Sequence, residues 1–118
     1  MSNEQIKLKL QEICKAYEDI LGLVILFGSY SRNEANENSD IDLYIEPRDA
    51  AMTTSRLWRN RRYREFQNCL FDSFAQEFDL LAYGGKRDLA SMRRTPLWKQ
   101  IESDGITIYD QRTKTVRL

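Results

Sequence analysis

Two aspartates near the middle of the chain, Asp40 and Asp42, have the spacing that most clearly points to chemistry. They flank Ile41, and an apolar run continues from Leu43 to Ile45, which predicts a β-strand. Alternate side chains of a strand point to the same face, so both carboxylates are expected to lie side by side. Two parallel carboxylates repel each other unless a cation lies between them. The pair therefore predicts a metal site.

The available ligand types restrict which metal could bind. The chain has no histidine and only two cysteines, Cys14 and Cys69, which lie far apart in the sequence. Both fall at apolar positions of helical segments and are predicted to be reduced residues of the core. The metal would then have all-oxygen ligands, which suits Mg²⁺, or Mn²⁺, better than zinc. Because magnesium in enzymes usually carries phosphates, a phosphate-bearing substrate is expected.

A glycine and a serine, Gly28 and Ser29, directly follow the apolar run 23–27. This pattern predicts a strand that ends in a glycine turn. If a short helix begins at Ser29, the serine would be its N-cap, and the free amides of Tyr30 and Ser31 would face outward as an anion site. A phosphate chain could then bridge this turn and the metal.

The spacing of these two features resembles the signature of a known superfamily. Gly28-Ser29, ten further residues and Asp40-Ile41-Asp42 match the Gly-Ser-x10-Asp-x-Asp pattern of the DNA polymerase β-like nucleotidyltransferases. Within that superfamily, the chain resembles the minimal nucleotidyltransferases, which are often paired as antitoxins with HEPN ribonuclease toxins. The resemblance implies an α+β fold of the polymerase β-like type, with a small mixed sheet packed with helices.

The resemblance also implies roles for the site residues. Asp40 and Asp42 would be catalytic metal ligands for the ion that carries the β- and γ-phosphates. Gly28 and Ser29 would hold the terminal phosphates of the nucleotide. A third carboxylate on a neighbouring strand completes the site in the family, and Asp79 is the matching position. Asp79 would also bind metal and could accept the proton of the attacking hydroxyl, since no histidine is present to act as a general base.

One departure from the family pattern is Asn33, where relatives commonly carry glycine. Asparagine tolerates a left-handed backbone better than most residues, so the turn is expected to survive.

The function implied by the resemblance is transfer of AMP from Mg-ATP to a tyrosine hydroxyl of a partner protein. The partner would be a HEPN-type toxin that this modification silences, in a possible hetero-oligomer. Two alternatives stay open: a non-catalytic antitoxin that masks its partner by binding, and a subunit that nucleotidylates a small molecule such as an antibiotic. The sequence does not determine the base preference, the acceptor or the oligomeric state.

Composition narrows the range of partners. Among 118 residues there are 18 Lys plus Arg and 18 Asp plus Glu, so no net positive charge favours general binding to nucleic acid or to an anionic membrane. No apolar stretch approaches the roughly 18 residues of a membrane span. The first residues lack the pattern of a secretory signal, so a cytoplasmic protein is expected. We predict one domain over residues 1–110 and a frayed polar tail over 111–118.

Periodicity and breakers predict the order of the elements. The first half is expected to contain a helix over 3–21 ended by Gly22, a central strand over 23–27 and a strand over 41–46 stopped by Pro47. A helix within 50–76 and a strand over 77–83 follow. The rest is expected to contain a basic connection over 86–94, a helix from Pro96 to Gly105 and a final strand over 106–109.

The helix within 50–76 raises a question about its arginines. Its predicted core stripe is Tyr63, Phe66, Leu70, Phe71 and Phe74. Extending the helix backward places Arg56 and Arg59 on that same face and Trp58 nearly opposite. Because unpaired arginines do not enter a core, the helix either breaks near Asn60 or projects past the core. The run from Arg56 to Arg64 would then be solvated, or contact the triphosphate or a partner, with Trp58 as a partner anchor.

Overall fold

The computed structural model describes residues 1–113, in which four strands form one mixed sheet flanked by five α-helices. The strands are β1 (Leu21–Phe27), β2 (Ile41–Pro47), β3 (Phe78–Ala82) and β4 (Ile106–Asp110). The helices are α1 (Asn3–Ala16), α2 (Thr54–Arg59), α3 (Arg61–Ser73), α4 (Lys86–Arg93) and α5 (Pro96–Asp104). The sheet order is β3-β2-β1-β4, with β2 and β4 antiparallel to β1 and β3 parallel to β2. The predicted α+β fold with a small mixed sheet and a central first strand is confirmed.

The two faces of the sheet are covered by different helices. One face carries the larger core, in which Leu26 and Leu43 of the strands pack with Leu10 of α1 and Phe66 of α3. The opposite face carries a smaller cluster formed by Leu23, Ile25, Tyr44, Met92 and Ile101, which α4 and α5 cover. Because successive side chains of a strand alternate between faces, the residue two before Tyr44 lies on this second face. That residue is Asp42.

Asn60 explains the break between α2 and α3. Its backbone is extended, with φ −70° and ψ 131°, and its side-chain oxygen accepts a hydrogen bond from Tyr63 N at 3.1 Å. Asn60 therefore ends one helix and caps the next, which confirms the first of the two predicted alternatives. Arg56 and Arg59 are consequently exposed on α2, while Leu57 between them is buried.

Three local predictions were wrong. Helix α1 ends at Ala16, and Gly22 lies inside β1. A β-carbon at Gly22 would lie 2.4 Å from Pro47 O on the neighbouring strand, so glycine is needed there for close packing. The basic connection over 86–94 is largely helix α4. Phe71, predicted to face the core, is 51% exposed near the end of α3.

Three further features concern the cysteines, the length of the helices and the last described residues. Cys14 and Cys69 are both free thiols, buried and half-buried respectively. No helix within residues 1–113 has both the length and the apolar character needed to cross a membrane. Of the predicted tail, residues 111–113 form a turn in which Gln111 N donates to Gly22 O at 3.0 Å. Residues 114–118 lie outside the part of the chain that the structure describes.

Candidate active site

Parallel pairing of β2 and β3 places two of the predicted site aspartates side by side. Asp42 and Asp79 are direct partners in the register of the two strands. Ile41 N donates to Glu77 O at 2.9 Å, which fixes this register at the start of both strands. Asp42 is half-buried, whereas Asp79 and the nearby Asp40, which precedes β2, are exposed. The three predicted carboxylates therefore gather at one open end of the sheet.

Among the three carboxylates, Asp42 is the one whose electrostatic environment is clearly perturbed. Burial raises the pKa of Asp42, and the negative charges of Asp79 and Asp40 raise it further. Arg32 is the cation that opposes this shift and favours the ionised form of Asp42. Bringing a cation to the group would relieve the same repulsion.

The donor set fits a hard divalent cation better than a soft one. All three side chains offer carboxylate oxygens, the ligand type that Mg²⁺ and Mn²⁺ prefer. Within residues 1–113, no three or more histidine, cysteine, aspartate or glutamate side chains are arranged so that they could hold a metal ion by themselves. Exposed Asp40 and Asp79 beside Asp42 match an open site whose remaining coordination positions would be filled by water and substrate oxygens.

The Gly28 turn lies directly against this group. Residues Gly28–Tyr30 form a short 3₁₀ helix after β1, and Phe27 is the register partner of Asp42. Gly28 has φ +73°, and a β-carbon built there would lie 2.1 Å from Asp42 Oδ2. The backbone of the predicted phosphate-holding turn is thus in contact with the predicted metal ligand.

The predicted capping arrangement at this turn was wrong. The helix begins at Gly28, so the cap position is Phe27 and not Ser29. The amide of Ser31 donates to Gly28 O at 3.2 Å, and its hydroxyl donates to the same oxygen at 2.7 Å. The Ser31 amide is therefore engaged within the turn and does not contribute to an anion site.

Arg32 and Asn33 follow the turn and add to the site. No role was predicted for Arg32 from the sequence. Its position, three residues after Ser29 of the Gly-Ser motif, could have indicated that it lies near the site. Its guanidinium pairs with Glu34 at 2.5 Å, and Glu34, Asp104 and Asp42 raise its pKa. Asn33 has φ 57°, which confirms the expected left-handed turn, and its side chain accepts from Asn3 Nδ2 at 3.1 Å.

The arginines of α2 and α3, unlike Arg32, do not act on Asp42. Arg62 forms an ion pair with Asp19 at 2.9 Å, which holds α3 to the turn after α1, and a second pair within α3 with Glu65 at 2.8 Å. Arg56 and Arg59 lie on α2. This helix contacts the last residue of β3, whereas Asp79 lies near the start of that strand. Of the arginines in the run from Arg56 to Arg64, none is among the charges that act on Asp42.

A polar network closes the second face beyond the aspartates. Tyr44 donates its hydroxyl hydrogen to Glu46 Oε2 at 2.6 Å, and Arg93 of α4 donates to Tyr44 Oη at 2.9 Å and to Glu46 Oε2. The Arg93 guanidinium also lies over the ring of Trp98 on α5, 3.9 Å from its centroid. These contacts join both helices to β2 and leave the aspartates at the uncovered end of the face.

Adjacent carboxylates on a strand pair beside a glycine turn are an arrangement that suits binding of metal-bound phosphate groups. The model of the family described as "Polymerase beta, Nucleotidyltransferase" matches residues 8–114, and the chain belongs to this family.

Solved structures share the fold. A chain of a toxin–antitoxin complex with AMP-PNP superposes with a TM-score of 0.58 at 22% identity, covering 93% of this chain and 78% of that chain. A chain from Shewanella oneidensis gives 0.57 at 21% identity, covering 98% and 78%. A chain from the complex of the tri-AMPylated Shewanella oneidensis HEPN toxin with its MNT antitoxin gives 0.51 at 18% identity, covering 98% and 78%. The search of curated proteins found no match.

Proposed function

We propose that this nucleotidyltransferase transfers AMP from Mg-ATP to a tyrosine hydroxyl of a HEPN-type partner protein, as the antitoxin of a toxin–antitoxin pair. The observation that carries the proposal is the register pairing of Asp42 with Asp79, directly against the Gly28 turn. It is supported by the structural similarity to toxin–antitoxin chains, one from a complex with AMP-PNP and one from a complex with an AMPylated HEPN toxin.

The roles of the site residues belong to the proposal. Asp40, Asp42 and Asp79 hold divalent metal, with Mg²⁺ as the favoured ion, and Gly28 and Ser29 hold the terminal phosphates. When bound, the metal neutralises phosphate charge and polarises the reacting phosphoryl group. Arg32 adds a positive charge beside Asp42, where it can balance part of the charge on the nucleotide.

The chemical step needs one proton acceptor. The tyrosine oxygen forms a bond to the α-phosphorus, the bond from that phosphorus to the β-phosphate oxygen breaks, and pyrophosphate leaves. We assign Asp79 as the group that takes the hydroxyl proton, because it is exposed next to Asp42 and the chain has no histidine. An exposed base at an open sheet end can be reached by a residue of another protein.

Label transfer tests the proposal. The wild-type chain is incubated with α-labelled ATP, Mg²⁺ and a purified HEPN-type protein of the native host, beside Asp42→Asn and Asp79→Asn. Wild type is expected to label the acceptor, and each variant is expected to lose at least about 100-fold in rate. Asp72→Asn is the matched control, because Asp72 is an exposed acid on α3 and should leave the rate unchanged.

Two results would contradict the proposal. The first is binding of the HEPN-type protein without label transfer by wild type, since this indicates a masking antitoxin. The second is label that enters a small-molecule acceptor such as an aminoglycoside and no protein. Equal rates for wild type and Asp42→Asn would overturn the assigned site.

A further inference from the structure

The outer edge of β3 has backbone groups that pair with no strand within residues 1–113, and it lies beside a cavity lined partly by phenylalanines. Within residues 1–113, strand β3 is at the edge of the sheet and pairs with β2 alone. Glu77 O accepts from Ile41 N, and Tyr83 N donates to Ile45 O, so the odd-numbered residues of this stretch turn their backbone groups toward β2. The backbone groups of Phe78 and Leu80 therefore face outward. Such an edge is a template for a further strand.

The start of this edge adjoins a cavity of about 410 Å³. It is lined by Phe71, Phe74, Ala75, Gln76, Glu77 and Phe78. Phe71 is 51% exposed, although it is a large apolar side chain. The side-chain oxygen of Gln76 is buried without a hydrogen-bond partner in residues 1–113, which is unusual for a buried polar atom. The cavity thus combines three phenylalanine side chains with the polar residues Gln76 and Glu77.

The other end of the edge carries an exposed tryptophan and two exposed arginines, of which Arg59 donates from Nε to Ser55 O at 3.2 Å. Trp58 Nε1 donates to Ala82 O at 3.2 Å, which ends the unpaired stretch, and its side chain remains 41% exposed. Arg56 and Arg59 on the same helix are exposed and form no ion pair with any described residue of the chain. Tryptophan, phenylalanine and arginine are the residue types that interfaces favour.

From these contacts we propose that the outer edge of β3 is the docking site for the acceptor protein, which adds an extended, acidic segment as a further strand. This inference rests on the proposed function, because the edge strand is the one that bears Asp79. Backbone pairing would occur along Phe78 and Leu80, and an apolar side chain of the partner would enter the cavity at Phe71. Acidic residues of the partner would meet Arg56 and Arg59.

The arrangement also places the partner near the chemistry. Asp79 lies between Phe78 and Leu80, with its side chain on the face that carries Asp42. A strand added along this edge runs beside the catalytic carboxylates, so a tyrosine flanking that strand can be presented to them. Docking at the edge thus selects the acceptor, while the aspartates carry out the transfer.

Binding to the purified HEPN-type protein of the native host tests the surface. Phe71→Asp and the double variant Arg56→Glu, Arg59→Glu are each expected to weaken its Kd at least about tenfold in calorimetry. The matched controls are Leu8→Asp, at 55% exposed on α1, and the double variant Arg94→Glu, Lys99→Glu. These controls should stay within about twofold of wild type. Thermal unfolding confirms that every variant is folded.

Hydrogen exchange distinguishes strand addition from contact through side chains alone. The amides of Phe78 and Leu80 are expected to exchange rapidly in the free chain and to become protected in the complex. Unchanged exchange of both amides in a saturated complex would overturn the proposal. It would also be overturned if these amides are already protected in a dimer of the free chain. The proposal would likewise be overturned if the wild-type chain bound single-stranded RNA and not the acceptor, and if the double variant Arg56→Glu, Arg59→Glu lost that RNA binding.

The same variants separate this inference from the proposed function. If Phe71→Asp raises the KM for the acceptor and leaves kcat and AMP-PNP binding unchanged, both stand. If wild type transfers label and the KM of Phe71→Asp is also unchanged, the docking surface is wrong and the proposed function stands. If wild type binds the acceptor through this edge without transferring label, the surface stands and the proposed reaction is wrong.

Discussion

Gly28 and Asp42 approach each other so closely that a β-carbon on Gly28 would lie 2.1 Å from Asp42 Oδ2. Gly28 also has φ +73°, a backbone conformation that L side chains rarely adopt. The glycine therefore has two separate physical reasons to be present. One is local to the turn, and the other is the position of a carboxylate on the neighbouring strand. The two reasons can be separated by mutation.

Gly28→Ala should abolish transfer and destabilise the fold moderately. The methyl group displaces the Asp42 carboxylate, so we expect at least a ~100-fold loss of rate, and the strained φ costs about 1–2 kcal/mol of unfolding free energy. Gly85→Ala is the control, because Gly85 has φ +83° but a β-carbon there meets only Thr53, at 3.4 Å. Similar losses of rate in both variants would show that backbone strain alone is responsible.

Asp42→Asn should change the pH dependence of stability in the metal-free protein. Burial and neighbouring carboxylates raise the pKa of Asp42, so the folded state binds this proton more tightly than the unfolded chain does. Ionising Asp42 therefore destabilises the fold as the pH rises from about 4 through the raised pKa. The variant should match wild type at acid pH and be more stable near neutrality. The gain should be a fraction of a kcal/mol, because solvent screens this half-exposed group.

Denaturation in chelator at several pH values measures that difference. The comparison of wild type with Asp42→Asn cancels the contributions of titrating groups that do not interact with Asp42. A difference that grows toward acid pH would contradict the sign of the pKa shift.

Mg²⁺ should stabilise wild type and have little effect on Asp42→Asn. An ion that binds only the folded state adds about 2.7 kcal/mol of unfolding free energy at 100 times its Kd. We expect Tm to rise with Mg²⁺ concentration in wild type, to rise less in Asp79→Asn, and to return to its starting value after chelation. Asp72→Asn, with its acid on α3, should respond as wild type does. A full Mg²⁺ response in Asp42→Asn would place the ion elsewhere.

The sequence was sufficient to predict the elements that carry the site. The apolar runs before Gly28 and after Asp40 predicted β1 and β2, and the breaker at Pro47 predicted the end of β2. The placement of Asp79 came from family resemblance, because parallel pairing of β2 with β3 joins segments that no local pattern relates. The structure then adds the register in which Asp79 is opposite Asp42.

Other features were not predictable from local pattern. Gly22 follows a helical periodicity and so resembles a helix end, but its actual constraint is Pro47 O on the next strand. Helix α4 has no apolar periodicity that would predict it, because most of its residues are polar or charged and only Met92 of that helix is buried. The bonds of Arg93 to Tyr44 and Glu46 span 49 and 47 residues, which periodicity cannot detect.

Arg93→Ala should destabilise the fold while leaving the chemical step nearly intact. Arg93 is a donor to both Tyr44 and Glu46, and the Glu46 side chain is only 14% exposed. Removing the guanidinium leaves that carboxylate poorly compensated and also removes the contact with Trp98. We expect a loss of about 1–2 kcal/mol, reduced from the cost of a fully buried pair because Arg93 is partly exposed.

Arg94→Ala is the matched control for this variant, since Arg94 is the next residue and is exposed. It should change the unfolding free energy by no more than about 0.5 kcal/mol. Glu46→Gln combined with Arg93→Ala should cost less than the sum of the single changes, because the two groups share one interaction. Strict additivity in chemical denaturation would mean that Arg93 and Glu46 stabilise the fold independently. Because Asp42 precedes Tyr44 on the same face, a large fall in kcat would instead show that the network positions the catalytic carboxylate.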